Sequence, residues 1–283
     1  MNGPSSLARN QRWRSRYGPW ALVTGASSGI GRAMAVRLAA ARLSLVLVAR
    51  TGETLETLSN ELRARHEIDV RVLAVDLAQD AALDEIAAAT EDLEIGLLIA
   101  AAGFGTSGRF LDAQFEREAE VLAVNCRAVL GLSVQFARRF AARGYGGIVL
   151  MSSIVGFQGV PYSANYAATK AYIQSLAEAL QAELKPLGVD VVACAPGPTD
   201  SGFAARANMR MGATVTPDTV ARETIAALGR RATVLPGILS KALTFSLAPL
   251  PRSARVRAMG AVMRGMTKHQ AEMSAPSSQR PAD

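Results

Sequence analysis

The apolar residues of this chain fall into seven short runs, separated by longer stretches in which apolar positions recur at helical spacing. The first run is Trp20 to Val23. The other runs lie at 45–48, 70–75, 97–101, 148–151, 189–194 and 233–235. Short uninterrupted runs are typical of strands buried on both faces, and the stretches between them predict helices. Alternating strands and helices predict an α/β fold, a Rossmann-type doubly wound parallel sheet with helices on both faces.

A glycine-rich loop follows the first predicted strand and opens the first predicted helix. Its glycines stand at G-x-x-x-G-x-G spacing, and the predicted binding residues are Gly25, Ser27, Ser28, Gly29, Ile30 and Gly31. Glycine tolerates a positive φ and allows a ligand close to the backbone, while the start of a helix attracts an anion. The loop therefore predicts a pyrophosphate site and hence a dinucleotide, the alternative being a turn that binds nothing.

The second and third runs end in residues suited to the rest of such a ligand. Arg50 follows the second run about twenty residues after the glycine loop, where an acidic residue would bind the ribose of NAD. Its guanidinium instead fits a 2′-phosphate, which predicts NADP(H); the alternative is an exposed arginine after a strand. Asp76 and Leu77 end the third run, and the Asp76 carboxylate could accept from the adenine amino group or cap the next helix.

Two later segments are predicted to line the same crevice at the carboxyl ends of the strands. Ala101 and Gly103 end the fourth run, and their small size leaves room for a ligand. After the sixth run, Pro196, Gly197 and Thr199 belong to a rigid turn that could place backbone groups against a nicotinamide. Residues 202–216 are polar and aperiodic, and are predicted to form a mobile lid.

The candidate chemistry lies in a tyrosine and a lysine one helical turn apart. Among five tyrosines only Tyr166 has a lysine, Lys170, four residues further on. A nearby ammonium lowers the pKa of a phenol, which could then exchange a proton with a carbonyl oxygen. The alternative is that Tyr166 and Lys170 are merely a pair on the protein surface. Ser153 weakens this alternative, because it follows the fifth run and is predicted to lie at the end of a strand. Asn125 lies in an apolar helical stretch and is either a structural bridge or a site residue.

Together these segments resemble the short-chain dehydrogenase/reductase family over residues 17–237. The matching segments are Thr24 to Gly31, Asp76-Leu77, Asn125, Ser153, Tyr166 with Lys170, and Pro196-Gly197. The resemblance implies that Tyr166 is the acid/base and that Ser153 binds the substrate oxygen. It also implies that Lys170 lowers the tyrosine pKa and holds the nicotinamide ribose, and that Asn125 anchors a water in a proton relay.

The chain departs from the family pattern in two places. Ala100-Ala101-Ala102-Gly103 stands where the family usually has Asn-Asn-Ala-Gly, whose asparagine braces the central strand. Ser28 lies where many NADP-linked members carry a basic residue, so the NADP(H) prediction depends mainly on Arg50. The segments at Tyr17 and Val234 look like a branch with reductases of ketoacyl chains, sterols and lipids.

Composition and charge narrow the choice of partners. The chain is 49% hydrophobic and carries a net charge of +7, concentrated in residues 1–18 and 238–270, which contain no acid. The nearly neutral middle disfavours nucleic-acid binding. No metal site is predicted, and no uninterrupted apolar run approaches the length of a membrane span. Cys126 and Cys194 both lie in apolar segments, which indicates a reducing compartment and predicts a cytoplasmic protein.

The periodicity divides the chain into four parts. Residues 1–16 are predicted to be a flexible basic tail, or alternatively a transit peptide. Residues 17–237 form the predicted dinucleotide-binding and catalytic domain, and residues 271–283 a disordered tail. Residues 238–270 are predicted to form a basic helical extension, divided by Pro249 and Pro251 into two short helices.

The second of these helices is predicted to be amphipathic. Five apolar residues share one of its faces, namely Val256, Met259, Val262, Met263 and Met266. Such a helix could lie on an anionic membrane, which would make the protein peripheral to it. Alternatively, the face covers the substrate cleft or a partner subunit.

Surplus apolar residues on two body helices predict a homodimer or homotetramer. They are Val121, Val124, Val129, Ile173, Leu176 and Leu180. The predicted function is an NADP(H)-dependent oxidoreductase that acts on a small-molecule ketone or secondary alcohol, with Tyr166 as acid/base; the expected substrate is apolar, namely a ketoacyl, steroid or other lipid-like carbonyl. The alternatives are a catalytically idle NADP(H) sensor and a membrane-surface scaffold.

Overall fold

A computed structural model of the chain describes residues 13–274 and contains one seven-stranded parallel sheet. The strand order is β3-β2-β1-β4-β5-β6-β7, which reverses direction between β1 and β4. The strands are β1 (Trp20–Thr24), β2 (Ser44–Ala49), β3 (Val70–Ala74), β4 (Ile95–Ala100), β5 (Gly146–Met151), β6 (Val189–Cys194) and β7 (Thr233–Val234). Each predicted apolar run is a strand, so the predicted fold class is confirmed.

Helices cover both faces of the sheet. They are α1 (Gly29–Ala40), α2 (Gly52–His66), α3 (Ala82–Ala88), α4 (Phe115–Leu122), α5 (Val129–Arg143), α6 (Ala164–Leu184), α7 (Phe203–Arg206), α8 (Pro217–Ala227), α9 (Gly237–Leu247) and α10 (Arg252–Ser274). Successive side chains of β2 point to opposite faces. Leu45 and Leu47 join a core beneath α1, α2 and α8, whereas Val46 and Val48 join a second core beneath α5 and α6.

A π-helical segment, Ala123–Ala128, joins α4 to α5. The combined helix Phe115–Arg143 is long and apolar enough to cross a membrane by length and composition, although no uninterrupted apolar run predicted a span. A core helix that packs against a sheet can have the same length and apolar composition. Phe136 and Phe140 of this helix are fully buried in the second core, so one apolar face of the helix is covered by the sheet.

The predicted oligomer residues do not form a second, free face. Val121, Val124, Val129 and Ile173 are buried in the core beneath α5 and α6, and the half-buried Leu176 and Leu180 pack against it. Helical periodicity gave the spacing of these residues but not the direction of the sheet. The large apolar side chains of α4 to α6 that remain exposed, within the described residues, are Phe115, Leu122, Leu130, Val134 and Tyr172.

The folded region begins earlier than predicted. Residues 13–17 are helical, and the rings of Trp13 and Tyr17 lie 4.6 Å apart between centroids. Arg16 Nε donates to Asp190 Oδ2 on β6 at 2.7 Å. The predicted tail boundary at residue 16 is therefore wrong for these residues. Residues 1–12, including most of the proposed tail or transit peptide, lie outside the described residues.

The C-terminal extension folds back over the carboxyl edge of the sheet. Its two helices separate between Leu247 and Arg252, as the prolines predicted, but α10 is 23 residues long and continues to Ser274. This extends structure into the predicted tail at 271–283, whose remainder lies outside the described residues. Met263 is buried in a small core with Val160 and Ala167. The predicted apolar face of α10 therefore mostly covers the body of the protein, as the second alternative proposed.

Candidate active site

A cleft of ≈ 430 Å³ opens at the carboxyl edge of the sheet, where the strand order reverses. Its inner half is formed by the glycine loop and the ends of the strands, and its outer half by the loop after β6 and by α9 and α10. The predicted site residues that line it are Gly25, Ser27, Ser28, Gly29, Ile30, Gly31, Arg50, Asp76, Leu77, Ala101, Gly103, Ser153, Tyr166, Lys170, Pro196, Gly197 and Thr199. Asn125 lies behind the cleft wall.

The glycine loop has the shape of an anion cradle. Gly25 and Gly29 have φ values of +67° and +54°, a region that side chains disfavour. A Cβ atom on Gly31 would lie 2.2 Å from the carbonyl oxygen of Gly25. Ser28 precedes α1 without capping it through its side chain, which leaves the N–H groups of the first helical turn available to an anion. These features fit the pyrophosphate of a dinucleotide.

Arg50 and Asp76 lie at the rim of this inner half. The Arg50 side chain is 62% exposed, and its Nη1 lies 3.6 Å from Glu120 Oε1 on α4. This position, directly after β2, is the one from which a ribose substituent would be contacted. Asp76 Oδ1 accepts from Ala78 N at 3.0 Å. The carboxylate therefore closes the turn after β3, and contact with adenine stays a prediction.

The end of β4 is braced by Thr24, a residue for which the sequence predicted no specific role. Thr24 Oγ1 accepts from Ala102 N at 3.0 Å and lies 3.5 Å from Ile99 O. The hydroxyl thus links β1 to the small-residue segment in which the family asparagine is missing. The position of Thr24, directly before Gly25 in the glycine loop, was the feature of the sequence that could have indicated this role.

Asn125 serves as a bridge from the π-helical segment. Its Nδ2 donates to Phe104 O at 2.9 Å and to Thr169 Oγ1 at 3.0 Å, while its Oδ1 accepts from Phe104 N at 3.2 Å. It therefore fixes the loop after β4 against α6, and a water-anchoring role stays a prediction. A Cβ atom on Gly103 would lie 3.0 Å from Asn125 Oδ1 and 3.4 Å from Lys170 Nζ, so a larger residue there would crowd both groups.

Ser153, Tyr166 and Lys170 come together at the centre of the cleft. Ser153 is held at the end of β5, where its Oγ donates to Pro196 O at 3.3 Å. The Ser153 hydroxyl is also hydrogen-bonded to Tyr166. Lys170 Nζ donates to Met151 O at 2.8 Å and lies 5.6 Å from the centroid of the Tyr166 ring.

Burial changes the proton affinity of both Tyr166 and Lys170. It raises the pKa of Tyr166 well above the usual value for a phenol, and the Ser153 hydrogen bond lowers it by less. Burial also lowers the pKa of Lys170 from 10.5 to about 8. The predicted lowering of the Tyr166 pKa by Lys170 is therefore wrong in this structure. Helical spacing brings the two side chains to one face, but the ammonium is directed to a backbone carbonyl and desolvation dominates.

The outer half of the cleft is apolar. Phe203 of α7 packs on Tyr166 with ring centroids 5.1 Å apart, and Arg210 N donates to Met266 O at 3.0 Å, so the predicted lid at 202–216 packs against α10. The position of Met259, Met263 and Met266 agrees with the alternative in which the apolar face of α10 covers the substrate cleft, whereas the contact of Phe203 with Tyr166 was not predicted. The apolar residues of this half include Phe157, Met209, Met211, Leu243, Leu247, Met259, Met263 and Met266.

Comparison with known proteins identifies the family. The sequence profile of the short chain dehydrogenase family matches residues 19–212. A 7beta-hydroxysteroid dehydrogenase from Mediterraneibacter gnavus is 31% identical over 238 residues, covering 81% of this chain and 90% of that protein. A very-long-chain 3-oxoacyl-CoA reductase from Podospora anserina is 37% identical over 196 residues, covering 68% of this chain and 56% of that protein.

A solved structure extends the likeness to the C-terminal helices. The short-chain dehydrogenase from Sphingobium yanoikuyae in complex with NADPH is 31% identical, with a TM-score of 0.73, and the match covers 94% of this chain and 99% of that one. The chain belongs to the short-chain dehydrogenase family, in the branch that resembles steroid and ketoacyl reductases. It is an oxidoreductase that uses a nicotinamide cofactor.

Proposed function

We propose that this protein is an NADP(H)-dependent oxidoreductase that interconverts an apolar ketone and its secondary alcohol. One observation carries the proposal: Tyr166 lies between the glycine cradle and the methionine-lined half of a single cleft. A hydroxyl at this boundary can reach a carbonyl oxygen while the rest of the substrate stays among apolar side chains.

The residues of the inner half fit a phosphorylated dinucleotide. The cradle would hold the pyrophosphate, and Arg50 would meet a 2′-phosphate at the end of β2. Glu120 is the carboxylate nearest to Arg50 and would have to share it with that phosphate. The NADPH in the related Sphingobium yanoikuyae structure supports the same cofactor here.

The bound nicotinamide would supply or accept the hydride, and the protein would handle the proton. With its raised pKa, Tyr166 is protonated at neutral pH and would donate its phenol proton to the carbonyl oxygen. Ser153 would hold that oxygen beside it. Because the pKa of Lys170 is about 8, its ammonium can lose and regain a proton near neutral pH.

The outer half of the cleft favours a bulky apolar substrate. Met259, Met263 and Met266 on α10 can adjust their flexible side chains to an irregular apolar surface. The names of two relatives point to the same class of molecule, since one is a steroid dehydrogenase and the other a very-long-chain 3-oxoacyl reductase. A steroid-like or long-chain ketone would fill this half better than a short polar one.

The exposed apolar side chains of α4 to α6 support a homo-oligomer. Leu122, Leu130 and Val134 are each between two-fifths and one-half exposed, and Tyr172 is 38% exposed. We place the contact between copies of the chain on this surface rather than on the buried residues that the sequence suggested.

The test is cofactor consumption with a graded series of ketones, run with NADPH and with NADH. We expect turnover with NADPH that rises with the apolar bulk of the ketone. Arg50→Ala should weaken NADPH binding by about 1.5 kcal/mol, roughly tenfold, because it removes one exposed charge-assisted contact. It should leave NADH binding unchanged, and Arg42→Ala, which removes another exposed arginine with a 2.9 Å ion pair, should alter neither.

Two results would contradict the proposal. Equal losses of NADPH and NADH affinity in Arg50→Ala would exclude the 2′-phosphate contact. Tight NADPH binding without turnover of any ketone would instead support a cofactor sensor.

A further inference from the structure

The outer face of α9 carries large apolar side chains that no described residue covers. Ile238 is 85% exposed and Phe245, two turns further on, is 64% exposed. They lie on the side of the helix opposite Ser240, which is fully buried and accepts from Gly197 N at 2.8 Å. Leu250, between α9 and α10, is 38% exposed. The inner face of α9 thus lines the cleft, and its outer face is exposed to solvent.

Cationic side chains accompany this apolar surface. Residues 238–270 contain six lysines and arginines and no acidic residue. Arg252 and Arg257, near the start of α10, form no ion pair with any carboxylate in the described part of the chain. Arg255 donates to the carbonyl oxygens of Leu250 and Ala248, at 2.8 and 2.7 Å.

These cations are poorly placed for the stability of α10 itself. A positive charge in the first turn of a helix opposes the helix dipole, and α10 has no acidic residue in its first turn. Arg255 caps the C-terminal end of α9 through Ala248 O, so the charges without an internal role are those of Arg252 and Arg257. The basic cluster is therefore better explained by an anion outside the molecule.

The same helices form the mouth of the cleft. Leu243 and Val262 both line the cleft and remain 37% and 49% exposed. Apolar side chains therefore stand at the mouth as well as inside the cleft, together with the polar Thr244 and Ser246. A ligand that arrived from an apolar phase would meet these apolar side chains first.

We propose that the outer face of α9, with the start of α10, binds an anionic lipid bilayer and directs the cleft mouth toward it. Ile238, Phe245 and Leu250 would enter the interface between headgroups and acyl chains, and Arg252 and Arg257 would contact anionic headgroups. A twofold contact between two copies is less favourable, since it would bring two clusters of uncompensated cations together. The location of the predicted membrane contact thus moves from the cleft-covering face of α10 to this outer surface.

The test is co-sedimentation of the full chain with phosphatidylcholine vesicles, with and without phosphatidylglycerol, at low and high salt. We expect binding only with phosphatidylglycerol, and release at high salt. The double variant Arg252→Glu with Arg257→Glu should weaken binding by about 25-fold or more, since each cation near the surface contributes about a fivefold factor. Ile238→Ser with Phe245→Ser should weaken it to a similar extent, because little apolar surface would remain to enter the bilayer.

Matched variants at the amino edge of the sheet serve as controls. Arg230→Glu with Arg231→Glu changes the same charge at exposed positions, and Leu187→Ser removes an apolar side chain that is 49% exposed. Both controls should retain vesicle binding. Ile238, Phe245, Arg252 and Arg257 do not line the cleft, so the circular-dichroism spectrum and thermal unfolding of each variant should match the wild type and would report correct folding.

The proposal is overturned if the wild-type protein ignores phosphatidylglycerol vesicles at low salt. It is equally overturned if the controls lose as much binding as the test variants, since the attraction would then be a general effect of net charge. If Ile238→Ser with Phe245→Ser instead reduces the size of the assembly in sedimentation and leaves vesicle binding intact, the face is a contact between protein chains. None of these outcomes depends on whether the proposed ketone reaction is correct.

Discussion

The two ends of the parallel sheet each hold a tyrosine with a raised pKa: Tyr17 is buried, whereas Tyr166 is half-buried and borders the cleft. Burial is the largest cause of the raised pKa for both Tyr17 and Tyr166. At the amino end, Tyr17 Oη donates to Asp190 Oδ2 at 2.7 Å, and Arg16 donates to the same oxygen at 2.7 Å. At the carboxyl end, Tyr166 is hydrogen-bonded to the Ser153 hydroxyl.

This difference shows why a perturbed pKa does not by itself identify a catalytic group. The proton of Tyr17 is committed to a carboxylate within a closed network, so it can only add stability. The partner of Tyr166 is a neutral hydroxyl, and the ring borders a cavity into which a carbonyl could enter. Gly105 allows the loop after β4 to pack closely on the Tyr166 ring, because a Cβ atom there would lie 2.8 Å from it. To identify a catalytic group, access to a cavity and a proton that is not held by a carboxylate therefore matter more than the size of the pKa shift.

The largest effect is expected from removing the hydroxyl of Tyr166. Tyr166→Phe deletes the proposed proton donor, so turnover of an apolar ketone should fall by about 10²–10⁴-fold, the usual contribution of a general acid. NADPH affinity should change little, because the pyrophosphate cradle is untouched. Single-turnover kinetics and fluorescence titration would measure the two quantities. Near wild-type turnover in this variant would exclude Tyr166 as the acid.

The matched change at the other end should affect stability and not chemistry. Tyr17→Phe removes a hydrogen bond to the buried Asp190 carboxylate, and the free energy of unfolding should fall by about 1.5–3 kcal/mol. Denaturant unfolding would measure this loss, while turnover per folded molecule stays at the wild-type value. If Tyr17→Phe lost turnover but not stability, Tyr17 would not be a purely structural residue and the contrast with Tyr166 would be wrong.

The smallest expected effect is a pH dependence of the free energy of unfolding that comes from Lys170 at the carboxyl end of the sheet. The folded chain releases this proton near pH 8, whereas the unfolded chain holds it until about pH 10.5. Between these values the unfolded state binds more protons, so stability increases with pH. From pH 8 to about 9.5, the wild type should gain about 1–2 kcal/mol relative to Lys170→Met. A constant difference over this range would show that burial does not lower the Lys170 pKa.

The parts of the site that the sequence predicted correctly share one physical origin. In a parallel sheet with right-handed connections, the carboxyl ends of all strands meet at one edge. Residues that follow each apolar run, such as Gly25, Arg50, Ser153 and Gly197, therefore had to converge once the runs were recognised as strands. Short-range patterns were sufficient because each residue is positioned by its own strand.

The predictions that were wrong depended on the direction of side chains relative to the rest of the fold. Spacing alone did not show that Val121 and Ile173 face the sheet. Composition likewise could not show that Arg16 reaches a carboxylate more than 170 positions away on β6. Such contacts depend on which elements pack together, and no local pattern records that.

The sequence by itself determined the order of strands and helices, the glycine cradle and the set of residues at the carboxyl edge, because periodicity and strand ends are local properties. Only the tertiary structure decided that Tyr166 holds its proton more tightly than a free phenol, since desolvation depends on everything that surrounds the ring. It also decided that the methionine face of α10 closes the cleft while Phe245 of α9 faces solvent. Burial is a property of the assembled fold, because the same apolar pattern on a helix can pack against different surfaces or remain exposed.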